Sequence, residues 1–191
     1  MSSSKIRPRL SSNGVLFPLD FAYARSGVAM PEAEVIEPDT IPQPYRKLLV
    51  HTSDMTLTLE RHFGGRVALR PLAIFSTDVW YFRRVLLALE DTGRPVEMGA
   101  IRIKIGAFSD RIRRQILDHE IPLGRLLREG GVKFQSLPRA FLAVRPNPEM
   151  MGVFWMREPL SLFGRRTEMM LDGAKIGDVV EVLPRAKTHA Q

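Results

Sequence analysis

The pattern of apolar and polar residues predicts helices and strands from about residue 43 onwards. Apolar side chains at helical spacing predict one helix over residues 45–49 and a second over 55–63. Asp54 is a favourable N-cap for the second helix, and Gly64 is a favourable residue to end it. The patterned part of the chain therefore begins with two short helices.

Strand-like runs dominate the rest of the chain. Runs rich in β-branched and aromatic residues predict strands at 67–75, 79–89 and 96–105. Two short helices should follow, one capped by Ser109 and one opened by Pro122. Further strands are predicted at 132–135, 141–144, 153–156, 167–171 and 179–183. Strands that pair with sequence neighbours indicate an α+β domain built on a single antiparallel β-sheet with helices packed beside it.

Residues 1–42 lack such periodicity. Five prolines in this stretch remove backbone donors and interrupt long regular elements. We therefore expect an irregular N-terminal arm at 1–42 and a domain at 43–191. The segment up to Arg9 is basic and lacks acids, which weakly resembles a transit peptide, but a solvated tail is the favoured interpretation.

Composition excludes several kinds of site. At 191 residues the chain has the size of one domain with an extension, and a hydrophobic fraction of 45% allows a sizeable core. No cysteine is present, which excludes disulfides, thiolate metal sites and cysteine nucleophiles. The four histidines are widely separated and lack the spacing of a zinc-protease helix, so we expect no metal.

The formal net charge of +7 suits a nucleic acid, a membrane surface or a small anion as partner. No helix-turn-helix, zinc-finger or RNA-binding signature accompanies the basic residues, so we expect no nucleic acid. No apolar run approaches the roughly 18 residues that span a bilayer, and residues 1–20 lack the apolar segment of a signal peptide. A cytoplasmic protein that does not insert into membranes and binds a small anionic molecule is therefore expected.

Two adjacent arginines in the predicted strand at 79–89 are candidates for anion binding. Arg83 and Arg84 should lie on opposite faces, because side chains alternate along a strand. One of them therefore points into whichever face is buried. A buried guanidinium costs several kcal/mol unless it meets a carboxylate, so an internal ion pair and a ligand site both remain open.

Two further residues in predicted strands carry candidate chemistry. Glu181 lies among apolar residues, where burial would raise its pKa and a nearby arginine would lower it. The alternation also permits Glu181 to face solvent. Gly99 weakens the packing of a strand interior, which indicates either a bulge or a group lying close to the backbone.

Six short motifs in order resemble the chorismate pyruvate-lyase family, whose members convert chorismate to 4-hydroxybenzoate and pyruvate. The resemblance covers about three quarters of the chain, from about Tyr45 to Pro184. The motifs are Ser53-Asp54-Met55-Thr56 with Leu59-Glu60, Tyr81-Phe82-Arg83-Arg84 with Leu86-Leu87, Pro95 with Gly99, Pro122-Leu123-Gly124-Arg125, Phe163-Gly164-Arg165-Arg166, and Glu181 ahead of Pro184.

This resemblance implies a chorismate lyase-like fold with the ligand enclosed under helical flaps, and a lyase that uses neither metal nor cofactor. It assigns the catalytic, carboxylate-binding arginine to Arg84 and the catalytic glutamate to Glu181. Substrate-binding positions under the same resemblance are Met55, Gly99 and Leu123. Arg165 or Arg166 could bind the second carboxylate of the substrate, with a solvent-facing Gly-Arg-Arg turn as the alternative. The sequence departs from the family at Ala100, where the lyase has an arginine directly after the glycine.

The chief alternative is a non-catalytic sensor or small aromatic-acid-binding protein on the same fold, since ligand-sensing domains of transcription regulators are similar in fold. Residues 1–42 are short and rich in proline for a DNA-binding domain, so we expect a free-standing enzyme. Its products would be pyruvate and a hydroxybenzoate isomer for ubiquinone or aromatic metabolite biosynthesis. The sequence does not define the oligomeric state.

Overall fold

A seven-stranded antiparallel sheet forms the centre of the protein. The computed structural model describes residues 14–186, so the basic segment up to Arg9 lies outside the described residues. The strands are β1 (Glu32–Ile36), β2 (Val67–Ser76), β3 (Trp80–Leu89), β4 (Pro95–Lys104), β5 (Phe134–Arg145), β6 (Leu162–Leu171) and β7 (Ala174–Leu183). Their order in the sheet is β1-β5-β6-β7-β4-β3-β2, and all six pairings are antiparallel. The predicted α+β class with a single antiparallel sheet is confirmed.

In the described part of the chain, six α-helices cover the two faces of the sheet. They are α1 (Leu19–Ser26), α2 (Tyr45–Leu49), α3 (Met55–Phe63), α4 (Asp110–Leu117), α5 (Leu123–Glu129) and α6 (Pro148–Val153). Within residues 14–186, none of these helices has the length and apolar character needed to cross a bilayer.

Local sequence signals explain where the helices begin and end. The Asp54 side chain accepts a hydrogen bond from the backbone N–H of Thr56 at 2.9 Å, which caps α3. Gly64 ends α3 in the left-handed conformation, with φ of 68°, which glycine adopts without steric cost. Ser109 caps α4 in the same way as Asp54 caps α3, through the N–H of Ile112.

The sheet has an α1 face and an α3 face, each with its own core. On the α1 face, Leu86 and Val180 pack with residues of α1 and α6. On the α3 face, Val85 and Leu87 pack with residues of α2 and α3, and the β4 residue Ile101 packs with α4 and α5. Because helices cover both faces, nearly every residue of β3 is buried.

The region expected to be an irregular arm, residues 1–42, contains three regular elements in its described part: α1, β1 and a short 3-10 helix at Pro38–Thr40. Leu19 and Tyr23 of α1 are fully buried, and β1 extends the sheet by pairing with β5. The prolines do not prevent this, because Pro18 precedes α1 and Pro31 precedes β1, so neither removes a hydrogen bond from an element interior.

Two other predicted elements differ. The stretch 153–156, predicted as a strand, is the end of α6 and the turn after it. Asn147 favours a helix here, because its side chain caps the start of α6 by accepting a hydrogen bond from the N–H of Met150 at 2.8 Å. The separate strands predicted at 132–135 and 141–144 are one strand, β5. Its register shifts after Pro138, a position where a strand tolerates proline.

Candidate ligand-binding site

A cavity lies between the α3 face of the sheet and the helices α3 and α5. Its volume is about 80 Å³, several times the roughly 10–15 Å³ that one water molecule requires. The cavity therefore accommodates one small organic molecule. Apolar wall residues include Met55, Leu69, Val85, Leu87, Leu123 and Met169. Polar wall residues are Asp54, Thr56, Arg83, Glu97, Ser136 and Glu181.

Arg83 is a buried cation that faces this cavity. It lies opposite Ile101 in the β3–β4 ladder, on the α3 face, and is 3% exposed. Among residues 14–186, no carboxylate lies within ion-pair distance of Arg83, and its Nη1 has no hydrogen-bond partner. A polar neighbour is the hydroxyl of Tyr81, which also bonds to Nδ1 of His119 at 2.8 Å. Burial lowers the pKa of the Arg83 guanidinium, and Tyr81 opposes this effect.

Arg84 lies on the opposite face and is paired inside the protein. It lies opposite Ala100 in the ladder, and its Nη1 donates to the Glu149 carboxylate on α6. The guanidinium also lies 4.5 Å from the centre of the Tyr23 ring on α1. Arg84 was expected to face the ligand, but its guanidinium lies on the α1 face, and Arg83 is the arginine of β3 that faces the cavity, because neighbouring residues of a strand point to opposite faces.

Glu181 lies at the cavity and is tied to Arg165. The two residues are opposite each other in the β6–β7 ladder, and Nε of Arg165 donates to the Glu181 carboxylate. Arg165 is fully buried and also donates to the carbonyl oxygens of Leu49 at 3.1 Å and His51 at 2.9 Å. Arg165 does not itself line the cavity but holds Glu181 and the α2–α3 connection together.

Arg166 was predicted, like Arg165, to bind substrate. It lies on the α1 face, opposite Val180 and 3.7 Å from the Asp178 carboxylate. Met55, Gly99, Leu123 and Glu181 meet around the cavity, whereas Arg84 and Arg166 do not reach it.

Glu97 on β4 is a second buried ionisable group that faces the cavity. It is 5% exposed, and its Oε2 has no hydrogen-bond partner within the described part of the chain. Burial raises the pKa of Glu97 well above its ordinary value, and the nearby Glu181 carboxylate raises it further. A Cβ atom on Gly99 would lie 2.7 Å from Oε1 of Glu97, so glycine at this position makes room for the Glu97 side chain.

Glu97 was not predicted as a cavity residue, and alternation along the strand left open whether Arg83 or Arg84 faces a ligand until the family resemblance selected Arg84. The signal for Glu97 was its alternation with Val96 and Met98, which puts the acid and Gly99 on the same face of β4. The signal for Arg83 was weaker, because apolar residues flank both arginines of β3 on both faces.

Helix α5 closes the cavity against the start of α3. Nη1 of Arg128 donates to Oδ2 of Asp54 at 2.5 Å, and Arg125 donates to the Glu60 carboxylate and, at 3.0 Å, to the carbonyl oxygen of Val67. Burial raises the pKa of Asp54, and Arg128 opposes this effect. These contacts hold the two covering helices together over the ligand space.

Helix α5 also approaches α3 very closely at its second residue. A Cβ atom on Gly124 would lie 1.9 Å from Oδ1 of Asp54, which is far inside van der Waals contact. The absence of a side chain at this position therefore allows α5 to lie against the N-terminal end of α3.

Comparison with known proteins shows a likeness in structure only. No protein-family model matches the sequence, and no curated protein matches it. The crystal structure of PhnF from Mycobacterium smegmatis is similar at a TM-score of 0.50 and 15% identity, over 74% of this chain and 71% of that chain. The chain shares its fold with PhnF.

Two further solved structures are similar at lower scores. A possible transcriptional regulator, YydK from Bacillus subtilis, has a TM-score of 0.47 and 12% identity, over 65% of this chain and 62% of that chain. The ligand-binding domain of a putative GntR-family transcriptional regulator from Bordetella bronchiseptica has a TM-score of 0.45 and 14% identity, over 64% of this chain and 87% of that chain.

These comparisons correct the expected function. The comparison with solved structures contradicts the prediction of an enzyme, a chorismate pyruvate-lyase in aromatic metabolite biosynthesis, and the likeness to PhnF shows the fold alone. The same comparison also contradicts the prediction that nucleic acid is not a partner.

Proposed function

We propose that this chain is a non-catalytic sensor domain that binds a small organic acid, such as an aromatic carboxylate, in the cavity beneath α3 and α5. The single observation that carries the proposal is Arg83, a guanidinium that is 3% exposed and faces the cavity without a carboxylate partner among residues 14–186.

The energetics of Arg83 favour an anionic ligand. Arginine keeps its proton inside proteins, so the free protein bears the cost of a buried charge, of the order of several kcal/mol. A ligand carboxylate would remove that cost and could accept two hydrogen bonds from the planar guanidinium. Binding energy is therefore concentrated at this end of the cavity.

The remaining walls favour a small molecule with an apolar middle. Met55, Leu123 and Met169 present flexible apolar side chains, which pack well against a ring or a short hydrocarbon chain. We place Gly99 and Glu181 at the same ligand, together with the backbone around Leu123. Because the Glu181 carboxylate is bound by Arg165, it is suited to holding a ligand group in position.

Helices α3 and α5 would report the presence of the ligand. Both contribute residues to the cavity, and salt bridges such as Arg128–Asp54 join them. A ligand that packs under Leu123 adds contacts to the closed arrangement and so shifts any opening equilibrium towards it. Closure of α5 is the change that a partner domain could detect.

Isothermal titration calorimetry with benzoate, 4-hydroxybenzoate and their uncharged amides tests this proposal. The acids should bind and raise the melting temperature by linkage, whereas the amides should not. Arg83→Gln should lose acid binding, while Arg145→Gln, which removes an exposed arginine on β5, should retain it. Chorismate incubated with the protein should release no pyruvate.

Three results would overturn the proposal. The first is that no acid of the set binds to folded protein, and the second is that Arg83→Gln binds the acids as tightly as the unsubstituted protein. The third is steady release of pyruvate from chorismate, which would contradict a non-catalytic role.

A further inference from the structure

Among residues 14–186, the cavity holds two buried ionisable groups without ionic partners, and they have opposite charges when ionised. Arg83 is one, and Glu97 is the other. Among the described residues, no arginine, lysine or histidine lies within ion-pair distance of Glu97, although Arg165 lies near enough to influence it. A protein interior rarely keeps such groups unless a ligand, or another function, requires them.

The register of the sheet separates these two groups along the cavity. Arg83 lies opposite Ile101 on β4, and Glu97 lies four residues before Ile101 on that strand, since 101 − 97 = 4. An even spacing puts both side chains on the same face. At about 3.3 Å per residue, their positions are about 13 Å apart along the strand. Arg83 and Glu97 therefore belong to opposite ends of the cavity.

The other charged groups at the Glu97 end already have partners. The titratable groups that face Glu97 from neighbouring elements are Glu181 on β7, Arg165 on β6, Asp54 ahead of α3 and His51 in the α2–α3 connection. Glu181 and Arg165 pair with each other, and the Asp54 carboxylate is bound by Arg128. Glu97 is thus the group at this end that remains available to a ligand.

We infer that the ligand is a small zwitterion, with a carboxylate on Arg83 and a cationic nitrogen on Glu97, separated by a ring or a short chain. This inference rests on the proposed function, because it specifies the ligand class of the same cavity. The separation between the two groups selects a molecule whose charges are several carbon atoms apart and disfavours an α-amino acid, whose charges lie on neighbouring atoms.

Proton release distinguishes this ligand class from a hydroxy acid. Burial raises the pKa of Glu97, so the free protein favours the protonated carboxyl above the ordinary value of 4.5. A ligand ammonium favours the ionised carboxylate, and the proton of Glu97 then leaves to the solvent. A ligand hydroxyl can bond to the protonated carboxyl, and no proton leaves.

The test compares 4-(aminomethyl)benzoate with 4-(hydroxymethyl)benzoate, which differ in the group that would meet Glu97. Calorimetry at pH 7 in phosphate and in Tris gives the number of protons released, because the two buffers differ in ionisation enthalpy. We expect the amine to bind about tenfold more tightly and to release protons on binding, and the alcohol to release none.

Glu97→Gln is the decisive variant, with Glu34→Gln, an exposed position on β1, as the matched control. Glu97→Gln should bring the ratio of the two affinities to about one and abolish proton release, whereas the control should change neither. Equal binding of the two compounds by the unsubstituted protein, or proton release that survives in Glu97→Gln, would overturn the zwitterion. Failure of both compounds to bind would instead contradict the proposed function itself.

Discussion

Arg83 and Arg84 are consecutive residues of β3, and their guanidinium groups lie on opposite faces of the sheet. Arg84 donates to Glu149 on the α1 face, and Arg83 faces the cavity with no carboxylate partner among residues 14–186. Arg84 therefore stabilises the folded protein, whereas Arg83 lowers its stability. This difference can be measured directly.

Replacing each arginine by methionine should affect stability in opposite ways. Arg84→Met leaves the Glu149 carboxylate without its cation and should lower the free energy of unfolding by about 2–3 kcal/mol, less than for a fully buried pair because Glu149 is partly exposed. Arg83→Met removes an unpaired buried charge and should leave that free energy unchanged or raise it. Urea denaturation at pH 7 checks both. A larger loss for Arg83→Met than for Arg84→Met would contradict this account.

The close contact between α5 and α3 predicts an effect of one methyl group. Gly124→Ala would bring a carbon atom onto the Asp54 carboxylate, which caps α3, so the free energy of unfolding should fall by about 1 kcal/mol. Gly152→Ala is the control, because nothing lies within 4 Å of its added carbon and alanine favours helix. Hydrogen exchange of the α5 amides should become faster in Gly124→Ala but not in Gly152→Ala. Equal exchange rates in the two variants would argue against close packing of α5 on α3.

The raised pKa of Glu97 predicts how stability depends on pH. The folded state keeps a proton on Glu97 above pH 4.5, where the unfolded chain has released it. The free energy of unfolding should therefore fall as pH rises through this window, by up to about 1.4 kcal/mol per pH unit. Glu97→Gln should remove this contribution, so the variant should be the more stable protein at pH 8 and resemble the unsubstituted protein at pH 4. Denaturation curves that give the same pH dependence for Glu97→Gln and the unsubstituted protein would contradict this prediction.

The Arg165–Glu181 pair predicts strong coupling between two substitutions. Glu181→Leu leaves the fully buried Arg165 without its anion and should cost about 3–5 kcal/mol. Arg165→Met with Glu181→Leu removes both charges and should cost less than Glu181→Leu alone. A double-mutant cycle from denaturation curves measures the coupling, and simple additivity of the two single effects would show that the pair contributes little.

Local signals in the sequence were sufficient for much of the fold. Asp54 and Gly64 define α3 because capping depends on neighbouring residues only, and the apolar runs at 67–75 and 79–89 correspond to β2 and β3. Helix α1 was not predicted, since its apolar face is short and its packing against the sheet involves residues distant in the sequence. Tertiary contacts decide such elements, and the local pattern does not contain them.

The face on which each arginine of β3 lies could not be derived from alternation. A strand with one face in water shows which side chains are buried, but helices cover both faces of β3 and nearly all its residues are buried. The pairing of Arg84 with Glu149 joins residues 65 positions apart, and the isolation of Glu97 depends on four different elements. Both properties arise only when the sheet is assembled.

The place of β7 in the sheet has a consequence for synthesis of the protein. It is the last strand along the described chain, yet it lies between β4 and β6 and joins the two halves of the sheet. While a ribosome is still producing residues 174–183, the hairpin of β3 with β4 and that of β5 with β6 can form, but no strand connects them. The nascent chain therefore exposes two unpaired inner edges, and completion of the sheet waits for its final strand.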